Sequence, residues 1–205
     1  MAQLPPEQHY VLETAQKLGI ETKLVYLPKA TDTCYQKANL LQQMYPDEGW
    51  IPERVIKAMY FQRCDHIIYV VTPELGKKIP LEEILPRALG IGTREAREYR
   101  LAKPIPDGME LGTCTPFPLE TSVGHNIHEL IIYDYLPIDA TLTDISIGGY
   151  GPEAHKVSMH LLYSGIYTIL KHCFADRVHK ASMITSMTTG IEKSKIPMRR
   201  QESFL

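Results

Sequence analysis

Three observations predict an α/β domain of the α+β type. Segments with apolar residues at helical spacing (5–19, 33–45, 81–89 and 161–174) interleave with short runs that read as strands (23–27, 55–61, 66–72, 127–133, 142–147 and 155–161). Two of those runs are joined only by Gln62-Arg63-Cys64-Asp65, which reads as a hairpin. The chain has 205 residues, 44% hydrophobic and 22% charged, the composition of an ordinary soluble domain and length enough for one substantial core.

The elements follow in order. In segment 5–19, Pro5 and Pro6 suit a first helical turn, Tyr10, Val11, Thr14, Ala15 and Leu18 recur on one stripe, and Gly19 suits the C-terminal end. Thr31 or Asp32 suits the N-cap of helix 33–45, and Pro46 stands beyond its end. A loop at 47–53 carries Trp50, the single tryptophan. Lys57 interrupts an apolar strand between Ile56 and Ala58; by alternation alone it is an ordinary outward-facing lysine. Helix 81–89 ends near Gly90, and 93–99 adds a turn or two. Arg87, Arg94, Arg97 and Arg100 read as a solvated face, or alternatively as a patch for phosphates.

The stretch Gly112-Thr113-Cys114-Thr115-Pro116-Phe117 stands out as a stiff, small-residue loop. Gly112 admits close backbone approach, whereas Pro116 fixes its own φ and disfavours helix at Thr115, so consecutive N–H groups can be presented to a ligand. The glycine-rich turn at 148–152 lacks the Gly-Lys-Ser/Thr ending of a phosphate loop and the Gly-x-Gly-x-x-Gly of a dinucleotide site. His125 and His128 lie three apart with no third ligand at readable spacing, so no metal site is expected. The cysteines (Cys34, Cys64, Cys114, Cys173) form no Cys-x-x-Cys pair, and free thiols are expected. A nucleophilic Cys114 would need a partner that lowers its pKa, and Cys114 reads as part of a pocket wall.

In this order, Lys57 in an apolar strand, the Gly112-x-x-x-Pro116 loop and a strand ending in Gly148-Gly149 resemble the YbaK/prolyl-tRNA-synthetase-associated domain family, over about residues 20–175. The resemblance implies a mixed, curved central sheet flanked by helices, and trans-editing hydrolysis of mischarged aminoacyl-tRNA. It implies catalytic roles for Lys57 and for Gly112, Thr113, Cys114, Thr115 and Pro116. Phe117, Gly148, Gly149, His155, Ser158 and Asp134 are implied to bind substrate, Asp134 being equally suited to capping a turn. His155 stands where the branch acting on alanine carries a histidine, and Ser158 where the branch acting on cysteine carries an aspartate. Alanine, or another small amino acid, on proline-specific tRNA is the implied substrate. The alternative is a non-catalytic module of the same fold that holds a tRNA end or a synthetase.

The resemblance divides the chain into a helical extension (1–20), the deacylase domain (21–176) and a polar, basic tail (177–205). It implies the acceptor end of tRNA as partner, with prolyl-tRNA synthetase as a second candidate, and no cofactor. A formal net charge of −2 argues against non-specific coating of nucleic acid but leaves room for a few placed cations. No apolar run of membrane-spanning length and no leader pattern is visible, so a cytoplasmic location is expected.

Overall fold

A computed structural model of the chain describes residues 8–76, 78–105, 115–118, 127–134, 140–147 and 154–182. The elements are α1 (His9–Lys17), β1 (Lys23–Tyr26), α2 (Cys34–Met44), β2 (Val55–Arg63), β3 (His66–Pro73), α3 (Leu81–Leu89), α4 (Thr93–Ala96), β4 (Arg100–Leu101), β5 (Glu129–Asp134), β6 (Leu142–Ser146), β7 (Val157–Leu162), α5 (Tyr163–Phe174) and β8 (Val178–Ser182). Eight strands form one mixed sheet in the order β1-β7-β6-β2-β3-β5-β8, with β4 paired to β2. The pairs β2/β6, β3/β5 and β5/β8 are parallel, and β1/β7, β6/β7, β2/β3 and β2/β4 antiparallel. The expected α/β class and mixed sheet with flanking helices are therefore present.

Local chemistry explains the boundaries. The hairpin closes between Arg63 and His66, with Cys64 in the left-handed region at φ 49°. The N-cap of α2 is Thr33, not the expected Thr31 or Asp32: its side chain accepts from Gln36 N–H at 3.1 Å, while Gln36 accepts from Asp32 N–H at 2.8 Å. Gly90 ends α3 at φ 69°, its N–H returning to the Pro86 carbonyl.

Strand alternation sorts the core onto two faces. On the first, α1 and α5 cover Ile56, Ala58, Tyr60, Tyr69, Val71, Ile132, Ile145, Met159 and Leu161. On the second, α3 and α4 pack on Phe61, Ile68, Val70, Ile131 and Tyr133, while α2 packs on Val25 and Val55 toward the other end of the sheet. Lys57 shares the parity of Val55 and Phe61, so it leaves β2 on this second face, between the two helical patches.

One segment differs from its expected character, and a second follows its apolar stripe. Residues 178–182, read as the start of a polar tail, form edge strand β8 beside β5, with Val178 and Ala181 buried. Helix α1 sets Val11 and Ala15 into the first-face core. Among the described residues no helix is long and apolar enough to cross a membrane.

Candidate active site

Lys57 is a half-buried cation with a fixed partner. Its Nζ donates to Glu74 Oε2 at 2.9 Å, and the two side chains are 25% and 14% exposed. Glu74 follows the end of β3, where the antiparallel register sets Lys57 opposite Thr72. Its Oε1 accepts from the Gly76 N–H at 2.8 Å. Burial pushes the Glu74 carboxyl up, but the Lys57 hydrogen bond, the Gly76 N–H, the Lys57 charge and the Cys34 thiol outweigh it and hold the group below its ordinary value of 4.5. The Cys34 thiol, at the start of α2, is pushed up to about 11, first by burial and then by the charge of Glu74, against the opposing pull of Lys57 and Lys37. It therefore stays protonated at neutral pH.

A stability prediction follows from the direction of the Glu74 shift. Because the folded state favours the carboxylate, Glu74 contributes stability that is present above the unfolded value of 4.5 and lost as pH falls through the lower folded value. Urea titrations of wild type and Glu74→Gln should differ at neutral pH and converge on acidification. A difference that persists unchanged at the acid end contradicts the pairing.

The sheet extends the site sideways. Continuing the β2/β6 ladder one step past Ile56 and Ile145 sets Lys57 beside Ser146, and Ser146 pairs with Ser158, which pairs with Val25. Lys57 and Ser158 thus lie in one row across the second face. Ser158 is fully buried, and its Oγ has no hydrogen-bond partner among the described residues.

Beneath α2, next to this row, lies a charged cluster that the sequence reading missed. Asp144 is fully buried, with Lys37 Nζ 2.6 Å from Oδ2 and His160 Nε2 3.2 Å from Oδ1. These are charge contacts, angled away from aligned hydrogen bonds. Lys37 also donates to Ser146 Oγ at 3.4 Å, which ties the cluster to the Lys57 row. His160 is 1% exposed, its ring 4.5 Å from Trp50 and edge-on to Tyr45 at 5.8 Å. A signal was present for Lys37, which stands three and four residues before Leu40 and Leu41 on the buried stripe of α2.

The loop after residue 114 is anchored from the opposite side. The Thr115 carbonyl accepts from Tyr69 Oη, and Thr115 Oγ accepts from the Phe117 N–H at 3.2 Å. The Phe117 carbonyl accepts from Gln8 Nε2 at 3.1 Å. Phe117 was expected to touch substrate. Its side chain is fully buried in the first-face core with Ile56, Ala58 and Tyr60, on the face of β2 opposite Lys57, where its ring removes much apolar surface from water. Pro116 is buried beside it.

His155, expected in a strand, occupies the 3₁₀ turn Ala154–Lys156 that leads into β7, and is partly exposed. Asp134 ends β5 in register with Ser182. Gly112, Thr113, Cys114, Gly148 and Gly149 lie outside the described residues. So does His125, whereas His128 accepts from the Ile67 N–H at 3.1 Å and stacks on His66 at 4.5 Å. Among the described residues no three His, Cys, Asp or Glu side chains come together as a metal site. A cavity of about 610 Å³ opens at the β1 edge, lined by Glu21, Lys23, Leu142, His160, Ser164 and Thr168 among others. Neither Lys57 nor Glu74 lines it, so the Lys57–Glu74 pair and this cavity are separate features, although His160 of the Asp144 cluster reaches the cavity wall.

No family model matches the chain, and no curated protein matches it in sequence. Solved structures do match. A candidate trans-editing enzyme for prolyl-tRNA synthetase superposes with a TM-score of 0.58 at 14% identity, covering 88% of this chain and 98% of that one. The hypothetical protein APE2540 gives 0.52 at 19% identity, over 78% and 93%. A scaffold protein from a computational design for presenting linear epitopes gives 0.54 at 12% identity, over 87% and 97%. At these identities the likeness establishes the fold: this chain is built on the same architecture as that candidate trans-editing enzyme.

Proposed function

We propose that the protein is an aminoacyl-tRNA deacylase acting in trans, hydrolysing the ester between a small amino acid, alanine foremost, and the terminal ribose of proline-specific tRNA. The observation that carries this reading is the half-buried Lys57, held by Glu74 between two helical patches and in one row with Ser146 and Ser158, on a fold shared with a candidate editing enzyme. The ammonium of Lys57 would bind the terminal nucleotide or the charge that develops on the reacting carbonyl. Backbone N–H groups of residues 112–115 would orient the acyl group. The reaction adds water across the ester: the water oxygen bonds to the acyl carbon, the bond to the ribose oxygen breaks, and that oxygen takes up a proton. The adjacent ribose hydroxyl can activate the water, so no protein base is required.

His155 at the mouth of β7 and the small, buried Ser158 support a compact side-chain pocket. The test is a panel of deacylation rates with Ala, Cys, Ser and Thr on proline-specific tRNA and on their own tRNAs. Alanine on proline-specific tRNA should be released at least tenfold faster than the uncatalysed rate and faster than cysteine. Spontaneous rates throughout would leave the reading without support and favour the non-catalytic binding module.

A further inference from the structure

Lys57 and Glu74 place a cation and an anion 2.9 Å apart, both partly reached by solvent, at the end of two adjacent strands. Each carboxylate oxygen is held by a donor: Oε1 by Gly76 N–H, Oε2 by Lys57 Nζ. A carboxylate offers about four lone-pair sites, so a fixed carboxylate with these two donors keeps acceptor capacity for another. The fixed charge pair is the complement of a ligand that carries negative charge on one side and positive charge close by. The 3′ end of a charged tRNA has that arrangement, with phosphodiester and polarised carbonyl on one side and the α-ammonium of the amino acid on the other. Resting on the deacylase reading above, we propose that Glu74 is the specificity-determining carboxylate that accepts this α-ammonium, so that the site takes free aminoacyl esters and rejects N-blocked ones such as formylaminoacyl- or peptidyl-tRNA.

The consequence is chemical selectivity by charge. A hydrogen bond between an ammonium and a carboxylate is about twice as strong as one between neutral groups, and acylation of the nitrogen removes the charge. The protonated Cys34 thiol fits this role, since it adds no competing negative charge. The rival role for Glu74 is to position Lys57 alone. In that case Glu74→Gln would slow the reaction of free and N-blocked substrates by the same factor.

The experiment compares alanyl-tRNA with N-acetylalanyl-tRNA as deacylation substrates for wild type and Glu74→Gln, and measures binding of adenosine carrying alanine through a 3′-amide, with and without N-acetylation. Wild type should prefer the free amine by roughly tenfold to a hundredfold in kcat/KM, the range of a hydrogen bond to a charged group. Glu74→Gln should lose most of that preference. The wild-type preference should also fade as pH rises through about 8, where an α-amino group gives up its proton, a readout that needs no variant. A preference that survives Glu74→Gln and is flat with pH comes from steric exclusion and overturns the proposal, as does equal handling of both substrates by wild type. If the amide analogue shows the amine preference but no tRNA is hydrolysed, the Glu74 assignment stands and the deacylase reading falls. If both tRNAs are hydrolysed at equal rates, the reverse holds.

Discussion

Asp144→Ala is expected to lower the unfolding free energy by about 3–5 kcal/mol, because it leaves the Lys37 ammonium buried without its counter-charge. The reasoning rests on burial: the Lys37 side chain is 9% exposed, Asp144 is fully buried, and they stand 2.6 Å apart. Little water reaches the orphaned ammonium where α2 packs on Val25, Val55 and Trp50. Removing the carboxylate also takes from His160 the acidic group that stands 3.2 Å away. Urea unfolding of wild type and Asp144→Ala checks the magnitude, with an unchanged m-value as the sign that two-state unfolding is preserved. The double variant Lys37→Met/Asp144→Leu should recover much of the loss, since an apolar pair of similar volume avoids the desolvation of both charges. A loss below about 1 kcal/mol for Asp144→Ala, the size of an ordinary surface pair, would mean that solvent reaches the cluster.

How much of this was legible in the sequence varies by element. The hairpin of β2 and β3, the helices α2, α3 and α5, and the strand containing Lys57 were readable because each is a local periodicity bounded by turn or cap residues. The cap of α2 was placed one or two residues early, since Thr31, Asp32 and Thr33 are all competent and only the hydrogen bond to Gln36 decides among them. Strand β8 was missed because its five residues include His179 and Lys180, and its burial comes from β5, some fifty residues earlier in the chain. Within the site, Lys57 and Ser158 were named from the resemblance, and the sheet sets them in one row. Glu74 carries no periodic signal of its own, and only the return of β3 alongside β2 brings it to Lys57. Asp144 lies within the expected strand 142–147 without any signal that marks it out, and α2 covers its face of the sheet and turns that position into a buried one. Phe117 was named from the resemblance, and its burial in the first-face core carries no local sequence signal.

The central claim is that Lys57 works on substrate, and Lys57→Ala tests it most directly when rate and melting curve are taken on the same preparation. An outward-facing strand lysine removed to alanine changes stability by no more than about 0.5 kcal/mol and leaves any activity near wild type. A lysine that grips the nucleotide or the developing charge contributes to the transition state, and its loss costs about a hundredfold or more in rate. The pair with Glu74 is partly exposed, so its removal should shift the melting temperature only slightly. The predicted result is a folded Lys57→Ala protein that releases alanine from mischarged proline-specific tRNA about a hundredfold more slowly than wild type under single-turnover conditions. A folded Lys57→Ala protein with the wild-type rate would place the active site elsewhere.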